Sequence, residues 1–425
     1  MKRVQPIPLA LLCVLVVWRA PSVKAETAPV LPPPTGSHAV GRVTYDWTDS
    51  ARGDVLAPNP AAARELVVDV WYPAEAAPGQ ASAEYLPDFA ALRHVVGEAG
   101  LRAEFGLAYE ALANGRLRTH AVENAAFARH LARCPVLIFS HGFGVLSRTY
   151  TGQLEDLASH GYVVAAIAHT YETMATVFPD GRAVPFASEP WEASRTTEES
   201  SMAYQDDRMK SWAGDIRFVI DELQREDRRG PRRAPFAGHL DFRRVGAFGH
   251  SAGGRAAALA CRNESRVRAC LNQDGLARFS PFDRGSIRGL EQPFLLLVAQ
   301  PPPTPPTDEE LARMGLTRSA AEALIHQLHA GQDAAMESTG RGSYRVTLAM
   351  PGMYHSSFTD RPLLQAVDDP GKRQEAVRNL GTIRAYTLAF FEKSLRGART
   401  TVLDRMHTDE TVKVEAFPRG GRTPR

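Results

Sequence analysis

The feature that most restricts the fold is a series of short, continuously apolar runs. They are "PVLIFSHG", "YVVAAIAHT", "RVGAFGHS", "VRACLNQDG", "QPFLLLVAQ" and "YRVTLAMPGMYH", spread over residues 135–355. A strand with one wet face alternates apolar and polar residues. A strand that is apolar throughout must be covered on both faces, as in a mostly parallel sheet. Parallel neighbours need long crossovers, and helical stretches occupy the gaps. "TYTGQLEDLASHG" ends at Gly161, and "YQDDRMKSWAGDIRFVIDELQRE" carries Trp212, Ile216, Val219 and Leu223 at helical spacing. "SAGGRAAALACR" and the closing "RQEAVRNLGTIRAYTLAFFEKSL" complete the set. Upstream, "GRVTYDWTD" and "RELVVDVWYP" read as strands rich in β-branched and aromatic residues. The alternation predicts one α/β domain over residues 41–396, with a mostly parallel central sheet flanked by helices.

Three segments interrupt the alternation. Residues 84–131 read as irregular helix, with Leu101, Phe105, Ala108 and Leu112 on one face; residues 171–204 read as loop. Residues 301–343 open with "PPPTPPTDEE" and continue as helix. Insertions at strand ends commonly shape a substrate site, although these helices could equally just cover the sheet.

The termini read differently. "MKR", the apolar run "PLALLCVLVVW" and "SVKA" form the pattern of a secretory signal peptide over residues 1–25, cleaved after Ala25. The apolar run is short for a membrane span. The expected location is therefore outside the cell or in the periplasm. Residues 26–40, containing "APVLPPPTG", read as a Pro-rich linker. Residues 397–425 turn polar and Arg/Gly-rich, and read as a mobile basic tail. Fifty Lys and Arg against 48 Asp and Glu leave a formal charge of +2, with no basic block, so nucleic acid is not an expected partner.

Export permits disulfides. Cys261 and Cys270, in "CRNESRVRAC", could bridge a helix end to the next strand; two buried free thiols are the favoured alternative. Cys134 reads as a core residue. The paired Cys and His spacings of a zinc site are missing, and no metal or cofactor is expected.

"RRVGAFGHSAGG" carries the chemistry. Gly249-His250-Ser251-Ala252-Gly253 fits G-x-S-x-G between an apolar strand and an Ala-rich helix, the setting in which this motif presents a nucleophile. The tight turn needs small neighbours and holds the hydroxyl at a helix N-terminus. A serine needs a base to take its proton. His355, after the last apolar strand, has the required chain position; His326, His329 and His407 read as surface residues. His141 and His250 flank backbone features without that position, and His169 reads as a packed strand-end residue. A carboxylate must hold the imidazole's tautomer. Asp274 ends a strand beside a glycine and is favoured, while Asp308, beyond the proline run, is the alternative. The oxyanion needs main-chain donors. The N–H of Ala252 follows the nucleophile, and that of Phe143 lies between Gly142 and Gly144 after "PVLIFS".

With these residues in place, "VDVWYP", "IFSHGFGVLSRTYTGQLEDLASHGYVVAAIAHT", "GHSAGG" and "CLNQDG" together resemble the secreted platelet-activating factor acetylhydrolases and their bacterial relatives, over roughly residues 41–395. The resemblance implies an α/β-hydrolase fold and a calcium-independent serine ester hydrolase. It implies action on short or oxidised acyl chains at the middle position of phospholipids, with transient contact to a lipid surface. It carries over Ser251 as nucleophile, Asp274 as acid, His355 as base, and Phe143 and Ala252 as oxyanion donors. The insertion at 301–343 is a departure that bears on substrate more than on the triad. General carboxylesterases, lipases and polyester hydrolases remain alternatives, as does a non-catalytic binding protein on the same scaffold.

Overall fold

Ten strands form the main sheet of the computed structural model among its described residues, which are 31–75, 79–275, 289–300, 307–308, 311, 317–405 and 411–417. In chain order these strands are β1 (Ala39–Gly53), β2 (Ala63–Ala74), β3 (Val122–Glu123), β4 (Cys134–Ser140), β5 (Val163–His169), β8 (Leu240–His250), β9 (Val267–Gln273), β10 (Phe294–Ala299), β11 (Ser343–Leu348) and β12 (Val412–Phe417). A separate hairpin pairs β6 (Ala175–Val177) with β7 (Ala183–Pro185). The spatial order is β12-β11-β10-β9-β8-β4-β5-β2-β1-β3. The run from β11 to β5 is parallel, while β12 and the β2–β1 pair run antiparallel at its two sides.

Side chains alternate across the sheet, and both faces are dry. Val136 and Ile138 of β4 pack with α6 (Glu198–Arg229) and α7 (Ala252–Asn263), through Trp212, Ile216 and Ala257. Leu137 and Phe139, the intervening residues, pack with α4 (Thr151–Ser159) and the closing helix Pro370–Arg396, through Leu154, Ile383 and Phe391. Two-sided burial is why these strands read as unbroken apolar runs. The inserted segment 84–131 supplies α1 (Phe89–Val96), α2 (Glu98–Phe105) and α3 (Tyr109–Ala113), whose Leu101, Phe105 and Leu112 pack on Leu363 and Leu380.

Three expectations need correction. Residues 31–38 are fastened to the domain instead of forming a linker. Leu31 is buried, Arg384 donates to the carbonyls of Pro32 and Pro33, and the Thr35 N–H donates to Asp156. The segment beyond residue 397 is not wholly a mobile tail: β12 pairs with β11 over six positions, with Val412 and Val414 packed on one face of the sheet and Phe417 buried on the other. Cys261 and Cys270 are joined by a disulfide from α7 to β9, and are not free thiols. Cys134 is a buried free thiol. The expected leader, residues 1–25, and the first residues of the expected linker lie outside the described residues.

Candidate active site

Ser251 sits between the end of β8 and the start of α7, at φ 54 and ψ −122, a backbone region that L-residues rarely occupy. Close packing holds it there. A Cβ on Gly249 would lie 2.4 Å from the Gly253 carbonyl carbon, and one on Gly253 would lie 2.1 Å from the Ser140 carbonyl oxygen. Both motif glycines are therefore demanded by the approach of α7 to β4. The Ser251 N–H donates to the Gln273 carbonyl at 2.8 Å, tying the elbow to β9.

Asp274 follows β9 directly, also at positive φ (53°). Its Oδ1 accepts the Ala299 N–H at 3.1 Å, and its Oδ2 lies 2.7 Å from His355 Nδ1. His355 opens a 3₁₀ turn, His355–Phe358, and is half exposed. A proton on Nδ1, donated to the carboxylate, leaves the Nε2 lone pair free to act as a base. The structure thus brings Asp274 to His355. It places Asp308 elsewhere: that carboxylate is exposed and bonded to Arg318 at 2.6 Å. The Ser251 hydroxyl and His355 are not hydrogen-bonded in this structure. Ser251's neighbour His250 instead places its ring 4.4 Å from that of His355.

The loop after β4 carries Phe143. Val145 N–H donates to the Gly142 carbonyl, and Gly144 lies at φ 73, as a tight turn with glycine in third place requires. The Gly142 N–H donates to the Tyr150 hydroxyl at 3.0 Å, and that hydroxyl lies 2.8 Å from His250 Nδ1. Among the described residues, neither the Phe143 nor the Ala252 N–H has a protein acceptor, so two main-chain donors stand free beside the elbow. The Phe143 ring packs on Phe186 (5.2 Å) and on Trp191 (4.9 Å) of α5 (Ser188–Ser194), so the inserted segment 171–204 walls this loop with aromatic rings.

Several supporting groups escape sequence reading. Burial, and next the neighbouring His355, hold His250 well below the ordinary histidine range, so it is neutral. Behind the loop, fully buried Arg64 is bonded to Asp54 (2.8 Å), Glu172 (3.3 Å) and Asp215 (2.7 Å). Burial pushes the Glu172 carboxyl up to about 7 despite Arg64. Burial also opposes ionisation of Asp215, but Arg64 and His169 outweigh it and hold that carboxyl low. The Glu172 carbonyl accepts the Gly144 N–H, which connects this cluster to the loop. "SHG" and "GHS" are visible in the sequence, but nothing there reports what their imidazoles touch. A cavity of about 340 Å³ lies past the loop, lined by residues such as Asp69, Leu146, Arg148 and Phe178; none of the candidate site residues lines it. No group of His, Cys, Asp or Glu among the described residues is arranged to hold a metal.

The sequence profile of the platelet-activating factor acetylhydrolase, isoform II, family matches residues 23–366. The chain belongs to this family. Among acetylhydrolases, the platelet-activating factor acetylhydrolase of Bos taurus is 37% identical over 84 residues, 19% of each chain. That of Cavia porcellus is 27% identical over 163 residues, 33% of this chain and 34% of the relative. The matched part thus spans between a fifth and about a third of these relatives' lengths. The solved ferulic acid esterase from Streptomyces cinnamoneus superposes with a TM-score of 0.66 at 28% identity, covering 91% of this chain and 99% of that one. The fold of this family member is that of the α/β-hydrolases. No helix among its described residues is long and apolar enough to cross a membrane.

Proposed function

We propose that this chain is an exported serine ester hydrolase acting through Ser251, His355 and Asp274. The observation that carries the reading is the 2.7 Å contact of Asp274 Oδ2 with His355 Nδ1, beside a serine strained at the end of β8. In this mechanism Ser251 Oγ bonds to the ester carbonyl carbon as His355 Nε2 takes its proton, and the carbonyl oxygen becomes an oxyanion. The free N–H groups of Phe143 and Ala252 donate to that oxyanion. The C–O bond to the alcohol then breaks, and His355 returns the proton to the departing alkoxide. Water repeats the sequence on the acyl-enzyme and releases the acid. Neither a metal nor a cofactor enters these steps.

The substrate proposed first is a short-chain acyl ester, including the middle-position acetyl ester of a phospholipid, met by transient contact with a lipid surface. Family membership supports it. A second reading, an aryl or aromatic-acid ester, is supported by the ferulic acid esterase neighbour and by Phe186 and Trp191 beside Phe143. Hydrolysis of an acetyl-ester phospholipid, p-nitrophenyl acetate, methyl ferulate and a long triglyceride separates these from a lipase. Ser251→Ala should abolish turnover of whichever substrate is cleaved while leaving the melting temperature near that of the parent. Turnover surviving that change defeats the proposal, and failure of the parent to react with a fluorophosphonate would favour a binding protein. Export agrees with the disulfide, and a mature N-terminus at Met1 would refute removal of the leader.

A further inference from the structure

We propose that His141 is a positioning residue that aims the Phe143 N–H at the oxyanion, an inference that rests on the serine-hydrolase reading above. His141 is fully buried at the end of β4. Its Nδ1 lies 2.7 Å from the Gly142 carbonyl oxygen, and its Nε2 accepts the His169 main-chain N–H at 3.1 Å. A carbonyl can only accept and a main-chain N–H can only donate, so the two contacts fix the proton on Nδ1. Burial holds the imidazole at about 3, and neighbouring His169 also opposes a second proton. The donor on Nδ1 is therefore present at every pH where an ester hydrolase with a histidine base works.

The Gly142 carbonyl and the Phe143 N–H belong to one peptide unit. That unit is planar and trans, so its C=O and N–H point in opposite directions, and holding one aims the other. Gly142 has no Cβ to restrict its ψ, so the chain alone leaves this plane free to turn. His141 Nδ1–H and Val145 N–H both hold the carbonyl. The preceding peptide plane is held separately, by Gly142 N–H on Tyr150. The imidazole is itself fixed: the Trp212 ring lies 5.0 Å away and the His169 ring 5.1 Å. His169 in turn contacts Asp215 Oδ2 at 2.7 Å and Ser140 Oγ at 3.1 Å. Ser140, His169 and Asp215 repeat the residue types of a catalytic triad, yet all three are wholly buried. Their place behind the loop assigns them to support, not to a second reaction site.

The test uses two amide substitutions in the full chain. His141→Asn puts an amide N–H near the position of Nδ1, keeping the donor to Gly142. His141→Gln reaches the position of Nε2 and can accept from His169, but leaves the carbonyl without that donor. Competent sites are counted with a fluorophosphonate, so a merely structural role would reduce their number and not the rate per site. Losing an oxyanion donor costs roughly 100- to 1,000-fold in rate. His141→Gln should therefore lower kcat per labelled site by about 100-fold with KM little changed, and weaken a trifluoromethyl ketone in parallel. His141→Asn should recover at least about tenfold of that kcat. Equal kcat per site for the two variants, or a Gln variant near the parent, overturns the inference. A parent enzyme that neither turns over esters nor labels at Ser251 defeats the hydrolase reading instead.

Discussion

Asp274→Asn is the sharpest test of the proposed chemistry, because a second hydrogen bond fixes which way the new amide points. In the parent, Oδ1 accepts the Ala299 N–H at 3.1 Å and Oδ2 faces His355 Nδ1 at 2.7 Å. The amide keeps the Ala299 bond only if its oxygen stays there, and its N–H₂ then points at Nδ1. Nδ1 must accept, the imidazole proton moves to Nε2, and Nε2 no longer takes a proton from Ser251. Flipping the amide restores the productive tautomer but sets a donor against the Ala299 N–H. An unmet buried donor costs about 1–3 kcal/mol, which leaves from roughly 16% down to about 0.6% of molecules in the flipped form. That minority also lacks the carboxylate charge beside the imidazolium. The combined loss expected in kcat is about 1,000- to 10,000-fold, or roughly 4–5 kcal/mol in the barrier. The assay is kcat per fluorophosphonate-labelled site with p-nitrophenyl acetate. Asp308→Asn is the control and should stay within about twofold, since its carboxylate meets Arg318 at the surface. A loss under tenfold in the Asp274 variant, or an equal loss in the Asp308 variant, refutes the assignment.

Two further outcomes concern stability. Replacing both Cys261 and Cys270 by Ala opens a loop of sequence separation 9, and chain entropy assigns that cross-link about 2.6 kcal/mol; urea denaturation should show a loss of this order, and an unchanged midpoint contradicts it. Burial pushes Asp360 up to about 7, although the Gly152 N–H and the Tyr85 hydroxyl favour its charge. The native state therefore holds this proton more tightly than the unfolded chain. Its stabilising effect is complete below the ordinary Asp range and is lost as pH rises to about 7. Asp360→Asn should flatten the decline in stability between pH 4 and 8, by at most roughly 4 kcal/mol. Glu172 titrates in the same direction, so a residual slope remains. Parallel melting-temperature profiles for parent and variant would contradict the assignment.

The sheet was legible because its information is local. Strands covered on both faces have no polar residue to interrupt them, and Leu137, Ile138 and Phe139 state that burial without reference to any partner. The edge was harder to read. Val412 and Val414 alternate with Lys413 and Glu415, but Phe417 breaks the period, and the strand spans only six residues between an Arg/Gly-rich end and a polar approach, so the pattern is weak beside that composition. Residues 31–38 failed for a related reason. A Pro-rich composition describes an extended backbone, whereas Arg384 and Asp156, which hold this one, lie over a hundred positions away.

The site divides along the same line. Ser251 could be found because its constraint is short-ranged: Gly249 and Gly253 lie within two residues of it, and each excludes a Cβ. Asp274 and His355 could be nominated by their strands, because the nucleophile proposed at one strand's carboxyl end needs partners at the ends of others. The imidazoles of His141, His169 and His250 could not be ranked this way. All three stand at strand or loop ends, the positions from which catalytic side chains also come, and residue type does not separate a base from a support. Surroundings do. His355 is half exposed with one carboxylate partner, so its second nitrogen can exchange a proton with substrate. His141 is buried with both nitrogens bonded, so it has no site left for a proton. Exposure and the number of occupied nitrogens therefore distinguish the histidine proposed to move a proton from the one proposed to hold a peptide plane.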